Sequence, residues 1–135
     1  MKPRVLIVDE SLTVRMDLQE AFESIGFATT IGETLAAARK ALAEGSFSLV
    51  ILDVLLPDGD GVDLLREIKN TPTMATTPVV LLSTEAEVRD RVRGLKTGAD
   101  EYVGKPYDRA NVLARAPTGR DRKTVLRIRA EVAAH

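Results

Sequence analysis

A chain of 135 residues is the length of one ordinary domain and too short for two. With 44% hydrophobic and 29% charged residues it lies near the averages for soluble globular proteins, which excludes disordered, collagen-like and membrane-embedded classes, and the lack of cysteine excludes disulfides, thiolate zinc sites and cysteine nucleophiles. The net charge of −1 hides an asymmetry: between Arg115 and His135 six bases (Arg115, Arg120, Arg122, Lys123, Arg127, Arg129) stand against Asp121 and Glu131, so the remainder is acidic.

No apolar run approaches the roughly 18 residues of a membrane span, and the N-terminus runs into a short apolar stretch without a small-residue cleavage site. A reducing, cytoplasmic setting is the expectation. The basic tail is short and carries no aromatics for stacking bases. It reads as a solvated helix face, with no direct nucleic-acid or membrane contact expected.

Arg4 to Val8 (RVLIV) is a continuous aliphatic run, suited to a strand buried on both faces of a parallel sheet. It ends at Asp9. Ser11 is a candidate N-cap for a helix that places Leu12, Arg15, Leu18, Phe22 and Ile25 at helical spacing and stops at Gly26. Phe27 to Ile31 is a second strand, and Glu33 to Glu44 a helix stopped by Gly45. Ser48 to Leu52 (SLVIL) repeats the first pattern and ends at Asp53. The cluster Pro57 to Gly61 (PDGDG) is a turn, followed by a helix from Val62 to Lys69 and a polar loop to Thr77. Pro78 to Leu82 (PVVLL) is a buried-type strand ending at Ser83. Glu85 to Thr97 is a helix with Val88, Val92 and Leu95 on one face, closed by Gly98. Glu101 to Val103 is the last strand, Lys105-Pro106 follows, and Asp108 caps a helix from Arg109 to about Ala116.

Five alternations of strand and helix predict βαβ units with right-handed crossovers, hence an α/β doubly wound fold with a five-stranded parallel sheet, (βα)5. Ligands of such sheets bind beyond the carboxyl ends of strands, where the strand order reverses. Asp9, Asp53, Ser83 and Lys105 are all expected just past strand ends on that edge. Clustered carboxylates raise each other's pKa unless a cation neutralises them. An all-oxygen acidic set without histidine favours a hard ion, and one that also admits a phosphoryl group favours Mg²⁺. Acids after strands can also serve merely as helix caps, but Lys105 on the same edge supplies a fixed positive charge and a phosphate contact.

The segments VDES (Val8 to Ser11), LDVLLPDGDG (Leu52 to Gly61), PVVLLST (Pro78 to Thr84) and GADEYVGKP (Gly98 to Pro106) together resemble the receiver domain of two-component response regulators, of the CheY-like type. The resemblance covers about residues 3–116, giving a layout of 1–116 as receiver domain and 117–135 as basic C-terminal tail. It implies a flavodoxin-like fold with strand order 2-1-3-4-5. It implies Asp53 as phosphoacceptor, Mg²⁺ held by Asp9, Glu10, Asp53 and the backbone carbonyl of Leu55, and Lys105 as the phosphate-binding lysine. Ser83 and Tyr102 are the implied switch residues, and the peptide before Pro106 is implied to be cis. The implied phosphodonor is a sensor histidine kinase or a phosphotransfer protein, a homodimer is possible, and the chain is a phosphoacceptor that catalyses its own phosphorylation and dephosphorylation rather than an enzyme acting on a separate substrate. The alternative in the same fold is a degenerate receiver acting as a phosphorylation-independent protein-binding module.

Three departures stand out. Glu10 occupies a position where the family usually has a second aspartate; it keeps the charge on a side chain one methylene longer. Leu55 is apolar where water often approaches the family's acyl phosphate, so slow hydrolysis is expected. Pro117 and Gly119 interrupt the last helix. Residues 121–134 then resume with helix formers, and although an exchanged element or the stub of a second domain stays open, a helix is the expectation. The residues after 116 are too few for an output domain. A flavin binder would need a hydroxyl-rich phosphate loop where Asp9-Glu10 stands. An aspartate-nucleophile phosphatase would usually need an acid at Leu55, and Gly61-Val62 breaks the order of a calcium loop.

Overall fold

The computed structural model describes residues 2–84 and 88–115. Its main sheet contains β1 (Arg4–Val8), β2 (Ala28–Gly32), β3 (Leu49–Asp53), β6 (Val79–Thr84) and β7 (Glu101–Lys105), all parallel, in the order β2-β1-β3-β6-β7. Numbered within this sheet alone, that is the predicted 2-1-3-4-5. Helices α1 (Leu12–Ser24), α2 (Leu35–Glu44), α3 (Gly61–Asn70), α4 (Val88–Thr97) and α5 (Arg109–Arg115) connect or follow the strands. A two-stranded hairpin, β4 (Leu55–Leu56) with β5 (Gly59–Asp60), lies between β3 and α3.

The apolar runs become central strands because successive side chains point to opposite faces and both faces are covered. Val5 and Ile7 join Leu49, Ile51, Val80 and Leu82 under Leu18 and Phe22 of α1 and Val112 and Leu113 of α5. Leu6 and Val8 join Val50, Leu52, Val79 and Leu81 on the other face, under Leu35 and Ala38 of α2 and Leu65 and Ile68 of α3. The three central strands β1, β3 and β6 therefore feed two cores at once.

Most boundaries follow the sequence. Ser11 caps α1, its hydroxyl accepting from the Val14 N–H at 3.3 Å, and Gly26 takes φ 95 beyond the helix end. Thr34 caps α2, so this helix starts after Glu33, and Asp60 caps α3, so that helix begins at Gly61. The turn cluster adds the small hairpin that the sequence pattern did not predict. β3, β6 and β7 run further than expected: Asp53 pairs with Leu82, Ser83 with Gly104 and Thr84 with Lys105 in the ladder, so Asp53, Ser83 and Lys105 lie within strands rather than past them. Backbone pairing continues there after the apolar pattern has stopped. The beginning of the helix predicted from Glu85, the end of the last predicted helix at about Ala116 and the tail 117–135 fall outside the described residues.

The apolar stripe predicted on α4 faces otherwise than expected, and that on α1 departs at its first residue. On α4, Val92 and Leu95 are exposed, while Gly94 is buried against Leu81. On α1, Leu12 is exposed and Arg15 turns inward, only 8% exposed. In both helices the contact available on the sheet, not side-chain polarity, selects the inward residue.

Gly61 is required by close approach. Its N–H donates to the Val54 carbonyl at 2.7 Å, and a Cβ there would lie 2.1 Å from the Asp53 carbonyl oxygen. Gly61→Ala is expected to lower the unfolding free energy by about 1–3 kcal/mol, as overpacking does. Urea denaturation measures it, and an unchanged midpoint would show that the segment yields without strain.

Candidate functional site

In a sheet of this order the crevice opens between β1 and β3, where successive connections leave in opposite directions. Val8 pairs with Leu52, so the next residues, Asp9 and Asp53, emerge side by side at that point. Asp9 is fully buried and Asp53 nearly so. One oxygen of Asp9, Oδ1, accepts the Ser11 N–H at 2.9 Å, tying the carboxylate to the start of α1. Its Oδ2 is buried and meets the Lys105 ammonium as an ion pair at 2.5 Å. The same Nζ donates to Asp53 Oδ2 at 3.2 Å.

The electrostatics follow from this packing. Burial, and then the charge of Asp9, push the Asp53 carboxyl up to about 6, against the opposing pull of Lys105 and a hydrogen bond from the backbone of Leu55. For Lys105, burial pulls downward, but the bond to Asp9 and the charges of both carboxylates outweigh it, so the ammonium is held above the ordinary lysine range. One cation thus stabilises two anions removed from water.

Other predicted positions take up varied places. Ser83 is buried on β6, one register step beyond Leu82, the partner of Asp53. The Tyr102 hydroxyl donates to the Thr84 carbonyl at 3.3 Å, and the Arg91 guanidinium lies 5.9 Å from its ring centroid. Leu55, on β4 directly after the segment that carries Asp53, is 57% exposed. The Lys105–Pro106 peptide is cis. Glu10 is exposed, and among the described residues no group of three or more acidic or histidine side chains is gathered into a metal cluster. The oxygen-only donor set still suits a hard divalent cation, because the carboxylates of Asp9 and Asp53 are both buried in one crevice and share a single ammonium.

Sequence reasoning missed Arg15. Its NH1 donates to the carbonyls of Asp9 at 2.7 Å and Glu10 at 3.0 Å, pinning the acidic turn from beneath. The available signal was a charged residue within an otherwise apolar stripe. The turn cluster also holds the site from both sides. Asp58 accepts from the N–H groups of Leu35 and Ala36 at 2.8 and 3.0 Å, and Asp60 pairs with Arg93 at 2.6 Å.

A carboxyl whose folded pKa lies above its unfolded value binds protons more tightly when folded, so its contribution to stability is lost as pH rises from about 4 through about 6. Asp53→Asn removes the buried charge. In metal-free buffer at pH 7.5 it should stabilise the protein by on the order of 1–3 kcal/mol, and the gain should vanish near pH 4. Parallel urea titrations at the two pH values test this; a gain independent of pH would contradict it.

With this geometry in hand, comparison with known proteins is direct. The chain is 39% identical over 113 residues to Protein PetR of Rhodobacter capsulatus, an alignment covering 84% of this chain and 46% of that one. It is 40% identical over 111 residues to the transcriptional regulatory protein GltR of Pseudomonas aeruginosa, covering 82% and 46%. The chain therefore spans about half the length of the curated relatives it matches. Among solved structures, the signal receiver domain of a signal transduction histidine kinase from Syntrophus aciditrophicus superimposes with a TM-score of 0.76 at 32% identity, covering 96% of this chain and 92% of that one. The family model "Response regulator receiver domain" matches residues 5–116, and the chain belongs to the response regulator receiver family.

Proposed function

We propose that this chain is a phosphoryl-accepting receiver module in which Asp53 is the acceptor, and that its phosphorylation switches a protein-interaction surface. The observation that carries the reading is the Lys105 ammonium seated between the buried carboxylates of Asp9 and Asp53. A helix-capping role for these acids would need no such cation.

Asp53 acts as a nucleophile only when ionised. With its pKa near 6 it is mostly a carboxylate at neutral pH, in spite of burial, because Lys105 holds it so. An Asp53 oxygen attacks phosphorus as the P–N bond of a phosphohistidine on a sensor kinase or phosphotransfer protein breaks, the electron pair returning to the imidazole. Such transfer asks the protein chiefly for positioning and charge stabilisation. Mg²⁺, when held by Asp9, Asp53, Glu10 and the Leu55 carbonyl, supplies neutralisation of the phosphoryl oxygens. Lys105 then exchanges its Asp53 contact for a phosphoryl oxygen. The Ser83 hydroxyl moves toward the same group, and Tyr102 leaves the Thr84 carbonyl for the space behind it. The surface so altered is that of α4, β7 and α5, a two-state element biased by local hydrogen bonding.

Among the described residues no helix is long and apolar enough to cross a membrane, and we place the module in the cytoplasm beside its phosphodonor. GltR is named a transcriptional regulatory protein and is about twice the length of the matched region. By that likeness the switched surface addresses an output unit or a partner such as a second copy, not a substrate of its own.

Incubation with acetyl phosphate and Mg²⁺ should place one acid-stable, hydroxylamine-sensitive phosphoryl group on the native protein and none on Asp53→Ala, with chelation abolishing it. A native protein that takes no label would leave the phosphorylation-independent binding module. Leu55 excludes water from the acyl phosphate without offering it a hydrogen bond. Leu55→Asn should therefore shorten the half-life of the labelled protein several-fold in a decay assay; an equal or longer half-life would remove that role.

A further inference from the structure

Lys105 is useful only if its ammonium stays at the crevice, and it belongs to the edge strand β7, with β6 between it and β3. What secures the chain just after Lys105 is a set of contacts on α1. The Tyr107 hydroxyl donates to Asp17 Oδ2 at 2.6 Å. Arg109 takes the other oxygen, Nε to Oδ1 at 3.0 Å, and its NH2 donates to the Asp17 backbone carbonyl at 3.0 Å. The Tyr107 side chain packs against the same core as Val14 of α1. Asp17 therefore receives two side chains from one short segment, residues 107–109, and both oxygens of its carboxylate are engaged. Burial, reinforced by Asp17, pushes the Tyr107 phenol well above the ordinary tyrosine range, so it remains a donor throughout the working pH range.

The same helix holds the acids. Asp9 Oδ1 is bonded to the Ser11 N–H at its start, and Arg15 grips the carbonyls of Asp9 and Glu10. The acidic turn and the segment after Lys105 are thus both fastened to α1, less than three helical turns apart along it. We propose that Asp17 and Tyr107 are positioning residues for phosphoryl transfer: their contact, with Arg109, sets where the Lys105 ammonium stands relative to Asp9 and Asp53. The inference rests on the phosphoacceptor reading of Asp53 for its catalytic consequence, while the placement of Lys105 is measurable apart from it.

The test uses the full chain and two mild variants, Tyr107→Phe, which keeps the ring in the core, and Asp17→Asn, which keeps an acceptor but loses the charge facing Arg109. The Lys105 side-chain ¹⁵Nζ resonance, assigned through Lys105→Arg, is recorded without phosphodonor. It is expected to move toward the position of a solvent-exposed lysine in both variants. With acetyl phosphate and Mg²⁺, the maximal labelling rate should fall on the order of tenfold, as for a modest misplacement of a catalytic group, at an unchanged half-saturating donor concentration. In a Lys105→Ala background Tyr107→Phe should make no further difference, because the two act through one group. An unmoved Lys105 resonance in both variants overturns the proposal, as does an undiminished effect of Tyr107→Phe in the Lys105→Ala background. If the native protein takes no label, the phosphoacceptor reading fails, and the Lys105 resonance alone decides whether Asp17 and Tyr107 position the lysine.

Discussion

The Lys105 ammonium, shared between Asp9 and Asp53, is the contact on which the site depends. Two carboxylates in one dry crevice repel each other and each loses its hydration, so without a cation at least one would be protonated. Adjacent strands cannot avoid this juxtaposition, because the parallel register carries Asp9 and Asp53 out of β1 and β3 together. The cation must come from elsewhere, and two strand spacings of about 4.8 Å lie between β7 and β3. A long flexible side chain spans such a gap while its stem lies over apolar surface. The pair of anions is thereby kept ready for reaction, with one foot in a core that would otherwise reject it.

Around that contact the chain spends its polar residues on holding backbone in place. Arg15 is a buried guanidinium whose hydrogen bonds go to the carbonyls of Asp9 and Glu10, so its desolvation is offset where the acidic turn needs support. Asp58 caps α2 from a different part of the chain, and Asp60 both caps α3 and reaches Arg93 on α4. The hairpin after Asp53 is consequently fastened on two sides, with Gly61 pressed on the Asp53 carbonyl between them. Surface ion pairs of this sort contribute little energy singly. Their value here is directional, since α4 and the segment beyond Asp53 are joined by the Asp60–Arg93 contact.

Much of the architecture was legible because its signals are local. Unbroken apolar runs such as Leu6 to Val8 and Val79 to Leu82 have no place but a sheet covered on both faces, and Ser11, Gly26 and Gly98 mark helix ends by hydrogen bonding and by positive φ. The final residues of β6 and β7 were not legible, for Ser83, Thr84, Gly104 and Lys105 are polar or small and are kept in the strands by ladder pairing with each other. Gly94 turned inward against the apolar pattern for a related reason: it meets Leu81, a contact that no periodicity in its own helix encodes, whereas Arg15 keeps its place on the inward stripe of α1 because backbone carbonyls meet its charge.

By itself the sequence determined the alternation of strands and helices and the identity of the charged residues at the strand ends, because both arise from side-chain polarity along a short stretch. Only the tertiary structure decided that Lys105 stands on both Asp9 and Asp53, that Glu10 faces solvent, and that Asp17 receives Tyr107 and Arg109. These are meetings between segments far apart in the chain. Their distances are set by strand register and by the helix packed across the sheet, which a linear pattern does not contain.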